Sequence, residues 1–268
     1  MDGMMNERTV RLVSWNVNGL RAVIQKNFFT SFRQLAPDVL SLQETKLQDH
    51  QRTVEMTDFE DFETHWSSCT VKKGYSGVAT YTRIKPVSVK TGIGIPEFDQ
   101  EGRILETDFG DFVLFNVYFP NGQMSEERLR YKLRFFESFF RYTDTLKDQG
   151  RRVVITGDFN IAHNEIDLKH PKANENTSGF LRIERDVMDG IVARGYVDTF
   201  RHFFPDEVKY SWWSYRAGAR RNNAGWRIDY FFVSRNMIED NRIVAPFIDN
   251  TIQGSDHCPV GLVIRYDS

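Results

Sequence analysis

An apolar strand that stops abruptly in a carboxylate and an amide is the feature that constrains this chain most. Val153-Val154-Ile155 reads as a buried strand, and it runs directly into Thr156-Gly157-Asp158-Phe159-Asn160. One such event is the ordinary end of a strand, because Gly, Asp and Asn are turn residues. The event recurs at Ser14-Trp15-Asn16-Val17-Asn18, Ser41-Leu42-Gln43-Glu44, Val117-Tyr118-Phe119-Pro120-Asn121, Arg227-Ile228-Asp229-Tyr230 and Gly254-Ser255-Asp256-His257-Cys258-Pro259. Six strand ends carrying Asn, Glu, Tyr, Asp and His imply one shared site. Because these residues are spread from Asn16 to His257, both halves of the 268-residue chain are needed to build it. A single domain over 9–268 behind a short extension at 1–8 is therefore expected.

Composition narrows the classes that remain. Hydrophobic residues at 40% supply a substantial core, and Cys69 and Cys258 alone exclude a disulfide framework or a cysteine-rich zinc site, which points to a reducing compartment. The N-terminus has no basic start followed by an apolar run, and no stretch approaches 18 apolar residues. Neither secretion nor membrane insertion is expected; the location implied is intracellular, cytoplasm or nucleoid, or the nucleus of a eukaryote. A net charge of -2 argues against coating nucleic acid by bulk attraction, yet leaves room for a local basic face. Arg216, Arg220, Arg221 and Arg227 fall in one segment with Trp226, whereas Glu55, Asp58, Glu60, Asp61 and Glu63 gather elsewhere. A duplex binder with an acidic back and two ordinary solvated runs both fit that asymmetry.

Periodicity gives strands at 9–15, 39–42, 77–81, 87–90, 103–107, 113–118, 153–156, 210–215, 228–233 and 260–264, the three from 77 to 107 read as antiparallel hairpins. It gives helices at 22–35 and near 183–193, and a long one capped by Ser125 with a buried stripe of Leu129, Leu133, Phe136 and Phe140. The polar loop at 162–179 opens just after Asp158 and Asn160, and its length marks it as functional. Two packed mixed sheets with helices on their outer faces suit this order.

Taken singly, the polar residues are ordinary. Glu44 with Lys46 reads as a surface ion pair or a metal ligand, Tyr118 and Asn121 as a packed ring and a turn residue, and Asp256-His257 as a capped turn or a functional pair. Asp229 lies inside the apolar run Ile228-Asp229-Tyr230-Phe231-Phe232-Val233 and must be paired if buried; His257 is the expected partner. The chain lacks Gly-x-Ser-x-Gly and HExxH patterns, which disfavours acyl transfer and zinc hydrolysis. Carboxylates and amides suit a hard ion instead: magnesium on Glu44 with Asn16, Asn18 or Asp256 nearby, and hence phosphodiester hydrolysis.

With these residues assembled, the chain resembles the exonuclease III-like apurinic/apyrimidinic endonucleases of the wider exonuclease, endonuclease and phosphatase group. The segments carrying the resemblance are Ser14 to Ala22, Leu42-Gln43-Glu44-Thr45-Lys46, Gly74 to Ala79, Tyr118-Phe119-Pro120-Asn121-Gly122, Gly157 to His163, Gly225 to Phe231 and Gly254 to Pro259. Trp212, Gly225-Trp226-Arg227 and the Tyr118 segment look specific to abasic-site enzymes. The resemblance implies a four-layered α/β sandwich of the DNase I-like kind and a magnesium-dependent cut 5' of an abasic nucleotide, leaving a 3'-hydroxyl and a 5'-deoxyribose phosphate. Accessory 3' to 5' exonuclease or 3'-end trimming would accompany it, and Mn2+ would substitute for Mg2+.

Residue by residue, the resemblance places Glu44, Asp256 and Asn18 at the metal, though vertebrate members carry aspartate at Asn18. It gives Asp158, oriented by Asn160, the attacking water, and His257, held by Asp229, the phosphate. Tyr118, Asn16 and Asn174 would bond the phosphate oxygens, beside Asn121, and Trp212 and Trp226 would wall the sugar pocket. Arg21, Lys46, Lys72, Lys73, Arg216, Arg220 and Arg221 would position duplex DNA bearing abasic or damaged 3' ends, for a protein acting as a monomer. Met124 and Arg216 stand where the vertebrate enzyme inserts an arginine and a methionine into DNA. The competing readings are a phosphodiesterase or phosphatase acting on RNA, lipid headgroups or small phosphates, and a DNA-binding module without catalysis.

Overall fold

Strands in this chain are apolar on both faces, which demands a layer on each side. The computed structural model describes residues 7–267; residues 1–6 of the expected extension, and residue 268, lie outside the described residues. In chain order the strands are β1 (Glu7–Asn16), β2 (Val39–Gln43), β3 (Glu63–Ser67), β4 (Val78–Thr82), β5 (Ser88–Thr91), β6 (Ile104–Asp108), β7 (Val113–Tyr118), β8 (Val153–Asp158), β9 (Tyr196–Asp198), β10 (Asp229–Ser234), β11 (Ile243–Ile248) and β12 (Val260–Asp267). One sheet runs β11-β12-β1-β2-β4-β3 and the other β5-β6-β7-β8-β10-β9.

Period-two alternation distributes each strand between two cores. Val10 and Leu12 of β1 join Leu114, Val154, Phe231 and Leu262 between the sheets, while Val13 and Trp15 pack under the helix Phe28–Leu35. Val113, Phe115 and Val117 of β7, with Val153 and Ile155 of β8, face outward beneath the helices Glu126–Asp148 and Arg182–Ala193. Four layers result, as expected. Among the described residues no helix is long and apolar enough to cross a membrane.

The pairing directions locate the site. Each sheet holds one parallel pair at its centre, β1 with β2 and β7 with β8. Parallel neighbours point their C-terminal ends the same way, so Asn16, Glu44, Tyr118 and Asp158 emerge on one rim. β10 and β12 are antiparallel to β8 and β1, with Asp229 opposite Asp158 and Val260 opposite Ser14. Their beginnings therefore reach the same rim, which brings Asp229 and the Asp256-His257 dipeptide there.

Several expected elements differ. The helix expected at 22–35 is two, Leu20–Ile24 and Phe28–Leu35, because Asn27 leaves helical geometry at φ -155° and donates its amide to Gln253 O at 2.9 Å. Ser125 caps the long helix, its Oγ accepting from Arg128 N at 3.1 Å. Of the helix's expected buried stripe, Phe136 and Phe140 are buried but Leu129 and Leu133 are half-buried; Phe135 and Phe139 widen the buried face, and Lys132 is buried with them, reaching Glu184 at 2.6 Å. Of the three strands expected as hairpins between 77 and 107, β4 belongs to the first sheet, and β5 and β6 pair with each other. At the sheet edges, β3 has little apolar pattern, β9 is only three residues long, and Pro246 interrupts the apolar run of β11. Residues 210–215 make isolated bridges, Trp212 to Trp226 and to His257, instead of a strand.

Arg227, read from sequence as part of a DNA-facing run, is fully buried. Its Nε donates to Asp167 at 2.8 Å and its terminal nitrogens reach both Asp198 oxygens at 2.7 and 3.1 Å. Removing one partner of such a cluster strands the other charges away from water. Arg227→Met is expected to lower unfolding free energy by about 3 to 5 kcal/mol in urea titration, and a loss under about 1 kcal/mol would show that Asp167 and Asp198 do not depend on it.

Candidate active site

The rim where these strand ends meet carries a cavity of about 270 Å³, lined by Glu44, Tyr118, Asn121, Gln123, Asp158, Asn160, Thr177, Ser178, Gly179, Trp212, Trp226, Ile228, Asp256 and His257. His257 is at its base. Its Nδ1 donates to Asp229 at 2.9 Å, and Ser211 Oγ donates to the same carboxylate at 2.6 Å, so the buried Asp229 is satisfied as its apolar surroundings require. The other ring nitrogen, Nε2, lies 3.8 Å from Asp158 Oδ2 and points toward the cavity. Burial disfavours the imidazolium, but Asp229, Asp158 and Asp256 outweigh it and push the His257 pKa up to about 10.

Asp158 ends β8. Its Oδ1 accepts from Asn160 N at 2.8 Å, and its Oδ2 from Asn16 Nδ2 at 2.9 Å and Asn160 Nδ2 at 3.3 Å. Burial pushes its carboxyl up to about 7; His257 opposes this, while Asp229 and Glu44 reinforce it. A carboxyl of that kind can hold a proton near neutral pH. Tyr118 is held protonated by burial and by the Glu44 carboxylate, and its ring lies under the Arg103 guanidinium at 4.6 Å. Asn121 Nδ2 donates to Asn160 Oδ1 at 3.0 Å, which fixes both amide orientations.

With Asp158 ionised, four carboxylates (Glu44, Asp158, Asp229, Asp256) face two cations, His257 and Lys46, leaving a formal charge of -2 before any substrate enters. An anionic ester would be repelled without a further cation. Glu44, Asp158 and His257 offer atoms within 4.8 Å of one another. A protonated His257 is a donor and not a ligand, so what the group offers an ion is carboxylate oxygen, which fits a hard, oxygen-seeking ion. Asp256 lines the same cavity, its carboxylate lowered against burial by His257 and by bonds from Asn18 and Trp212. Asn18 bridges Asp256 at 3.0 Å and Lys46 at 2.5 Å, so both ends of its amide are already engaged.

The rest of the expected set divides. Asn16 is wholly buried and spends its Nδ2 on Glu44 and Asp158, each at 2.9 Å, which orients both carboxylates. Asn174 lies off the cavity wall, its amide donating to His170 O at 2.8 Å within a short helical turn. Trp212 and Trp226 wall the cavity with ring centroids 6.2 Å apart and planes at 86°. Arg21, Lys72, Lys73, Arg216 and Arg221 stand exposed, and Lys72 lies over the Tyr75 ring at 4.7 Å. Arg220 instead donates to main-chain carbonyls. Thr177, Ser178 and Gly179, in the loop read only as functional, line the wall, and Arg103 backs Tyr118; neither carries a local sequence signal.

A cationic imidazole, a carboxyl poised near neutrality and room for a hard cation, at the rim of a four-layered sandwich, describe a hydrolase of phosphate esters. The Endonuclease/Exonuclease/phosphatase family matches residues 13–257, and the chain belongs to that family. It is 47% identical over 96% of its length to the whole of an exodeoxyribonuclease of Bacillus subtilis, and 38% identical over 95% of its length to 82% of the DNA repair nuclease APEX1 of Danio rerio. An AP endonuclease structure from Archaeoglobus fulgidus superimposes with a TM-score of 0.86 at 27% identity, covering 95% of this chain and 99% of that one. The protein is thus a hydrolytic nuclease of the exonuclease III-like branch, whose members depend on metal.

The raised His257 pKa has a definite sign. Its folded value exceeds the ordinary imidazole value of about 6.5, so the pairing with Asp229 stabilises the fold fully below that pH and is lost as pH rises through about 10. In chelator, Asp229→Asn is expected to lower the His257 pKa measured by imidazole NMR; an unshifted titration would mean Asp229 does not hold the charge.

Proposed function

We propose that the protein is a DNA-repair endonuclease that hydrolyses the phosphodiester bond 5' of abasic sites in duplex DNA with Mg2+, with 3'-end trimming or exonuclease action as a second activity. The observation carrying this reading is the cavity itself: the Trp212 and Trp226 rings and the Asp158 and His257 pair line one space, and its volume suits a sugar without a base. An abasic nucleotide has already lost its stacking, so it is cheap to extrude into such a space.

The chemistry follows from the residues. Asp158, fixed by Asn16 and Asn160, aligns a water against phosphorus and takes its proton. His257 Nε2–H and the Tyr118 hydroxyl donate to the non-bridging oxygens, where charge grows in the transition state. A new P–O bond forms from water as the bond to the 3'-oxygen breaks, and that oxygen takes a proton from solvent, leaving a 3'-hydroxyl and a 5'-deoxyribose phosphate. Glu44 and Asp256 would hold Mg2+, which when bound supplies the positive charge that stabilises the departing oxygen. Arg21, Lys46, Lys72, Lys73, Arg216 and Arg221 are the cations placed to meet phosphates along the duplex.

A duplex with one tetrahydrofuran abasic analogue tests the reading, since that analogue cannot undergo β-elimination. A magnesium-dependent cut just 5' of it, lost in Glu44→Gln and Asp158→Asn, is the expected result. Tight binding without any cut would support a non-catalytic binder, and neither binding nor cutting would redirect attention to RNA, lipid headgroup or small phosphate esters. Under single-turnover conditions His257→Ala is expected to slow cleavage by about a hundredfold or more; an unchanged rate would remove His257 from the phosphate.

A further inference from the structure

Arg220 sits in the basic segment, yet its guanidinium is turned toward the protein. It donates to three main-chain carbonyls of one loop, Asn250 at 3.1 Å, Ile252 at 2.5 Å and Ser255 at 3.1 Å, and lies over the Trp213 ring at 4.7 Å. That loop joins β11 to β12 and carries Asp256 and His257. Its opposite flank is held by Lys26 Nζ, which donates to Gly254 O at 2.8 Å, and by Asn27 Nδ2, which donates to Gln253 O at 2.9 Å. Gly254, at φ +122°, lies so close that a Cβ there would meet Asn27 Oδ1 at 2.5 Å.

Within this loop the backbone has few regular partners, so its carbonyls must be satisfied by side chains or by water. Arginine suits the task because a planar fork of five donors binds several acceptors in a fixed relative geometry. Carbonyls of three non-adjacent residues on one guanidinium set the curvature of the loop. The chain then enters the site: Trp213 N donates to Asp256 O at 3.0 Å, Ser255 Oγ to Asn16 O at 2.8 Å, and Trp15 Nε1 to His257 O at 3.1 Å. Arg216 and Arg221, on the same segment as Arg220, remain exposed.

We infer that Arg220 is a positioning residue, clamping the loop that places Asp256 and His257 and tying it to the exposed segment carrying Arg216 and Arg221, instead of contacting DNA phosphate. The inference rests on the proposed nuclease reading of the site. It makes duplex docking and catalytic geometry parts of one mechanical unit: the segment that meets the strand is the segment that holds the loop.

The test separates rate from salt dependence, using the whole protein and the tetrahydrofuran duplex. Arg220→Met is expected to slow single-turnover cleavage at saturating protein by on the order of tenfold to a hundredfold, as small misplacements of catalytic groups do, with an unchanged slope of log Kd against log salt. Arg221→Ala supplies the contrast in binding, flattening that slope by about one phosphate's worth. Ethylguanidinium, compared at equal ionic strength with sodium chloride, should restore part of the rate of Arg220→Ala. A flattened slope at full saturated rate for Arg220→Met, or no change in either quantity, overturns the inference.

If the unsubstituted protein cuts nothing, the proposed function fails but the clamp is still tested by amide hydrogen exchange. Arg220→Met should then speed exchange at Trp213, His257 and Cys258 and leave β8 unaffected, and unchanged exchange rejects the clamp. Should Arg220→Met not fold, Arg220→Lys takes its place in both measurements. Unaltered rate and exchange in that variant likewise overturn the inference.

Discussion

The buried contact between His257 and Asp229 is the constraint on which the rest of the site depends. Asp229 opens β10 among apolar side chains, where an isolated carboxylate would be costly. His257 and Ser211 satisfy it, and the price is a cation fixed beneath the cavity. That cation in turn tolerates Asp158 close by, and Asp158 with Glu44 and Asp256 then leaves the site short of positive charge. An excess of carboxylates that only a hard cation and an anionic ester can jointly balance is a physical description of what such a site is prepared to accept.

Holding these groups together requires the backbone to depart from its comfortable conformations. Asn18, Glu44, Lys46 and Asn160 all take positive φ, between 46° and 54°, although none is glycine. Such geometry persists only where surrounding contacts over-determine it. Here the contacts are visible: Gly19 N donates to Glu44 O, Lys46 N to Ser76 O, and Asn160 Nδ2 to Phe119 O. Between the sheets, Gln43 Nε2 donates to Ser14 Oγ and Asn116 Oδ1, at 3.0 and 2.8 Å, so the two central parallel pairs are joined by polar as well as apolar contacts just behind the site. Rigid strands and strained strand ends divide the labour.

Legibility followed the kind of interaction involved. Strands buried on both faces, β7 and β8 above all, declared themselves through continuous apolar runs. Edge strands did not: β3 presents Glu63, Thr64 and His65 partly to solvent, and no alternation marks it. Asp229 was assigned its histidine because a carboxylate in an apolar run has few ways to be satisfied. The arginines were harder, since a guanidinium looks the same in sequence whether it meets solvent, two buried aspartates as Arg227 does, or loop carbonyls as Arg220 does. The same difficulty hid Lys132, which is buried on the inner face of the long helix against Glu184.

The sequence by itself determined the alternation that makes two sheets with outer helices, and the identities of the polar residues at the strand ends, because both are written in local periodicity and in residue type. Only the tertiary structure decided which of those polar residues share the cavity. Asn16 proved to orient carboxylates and Asn174 to lie off the wall, while Thr177, Ser178 and Gly179 were brought onto it. The reason is geometric: convergence depends on parallel pairing at the centre of each sheet and on how the sheets face one another. Those are contacts between residues from 27 positions apart, as in Leu12 with Val39, to 242 apart, as in Trp15 with His257, on which no local window of the chain bears.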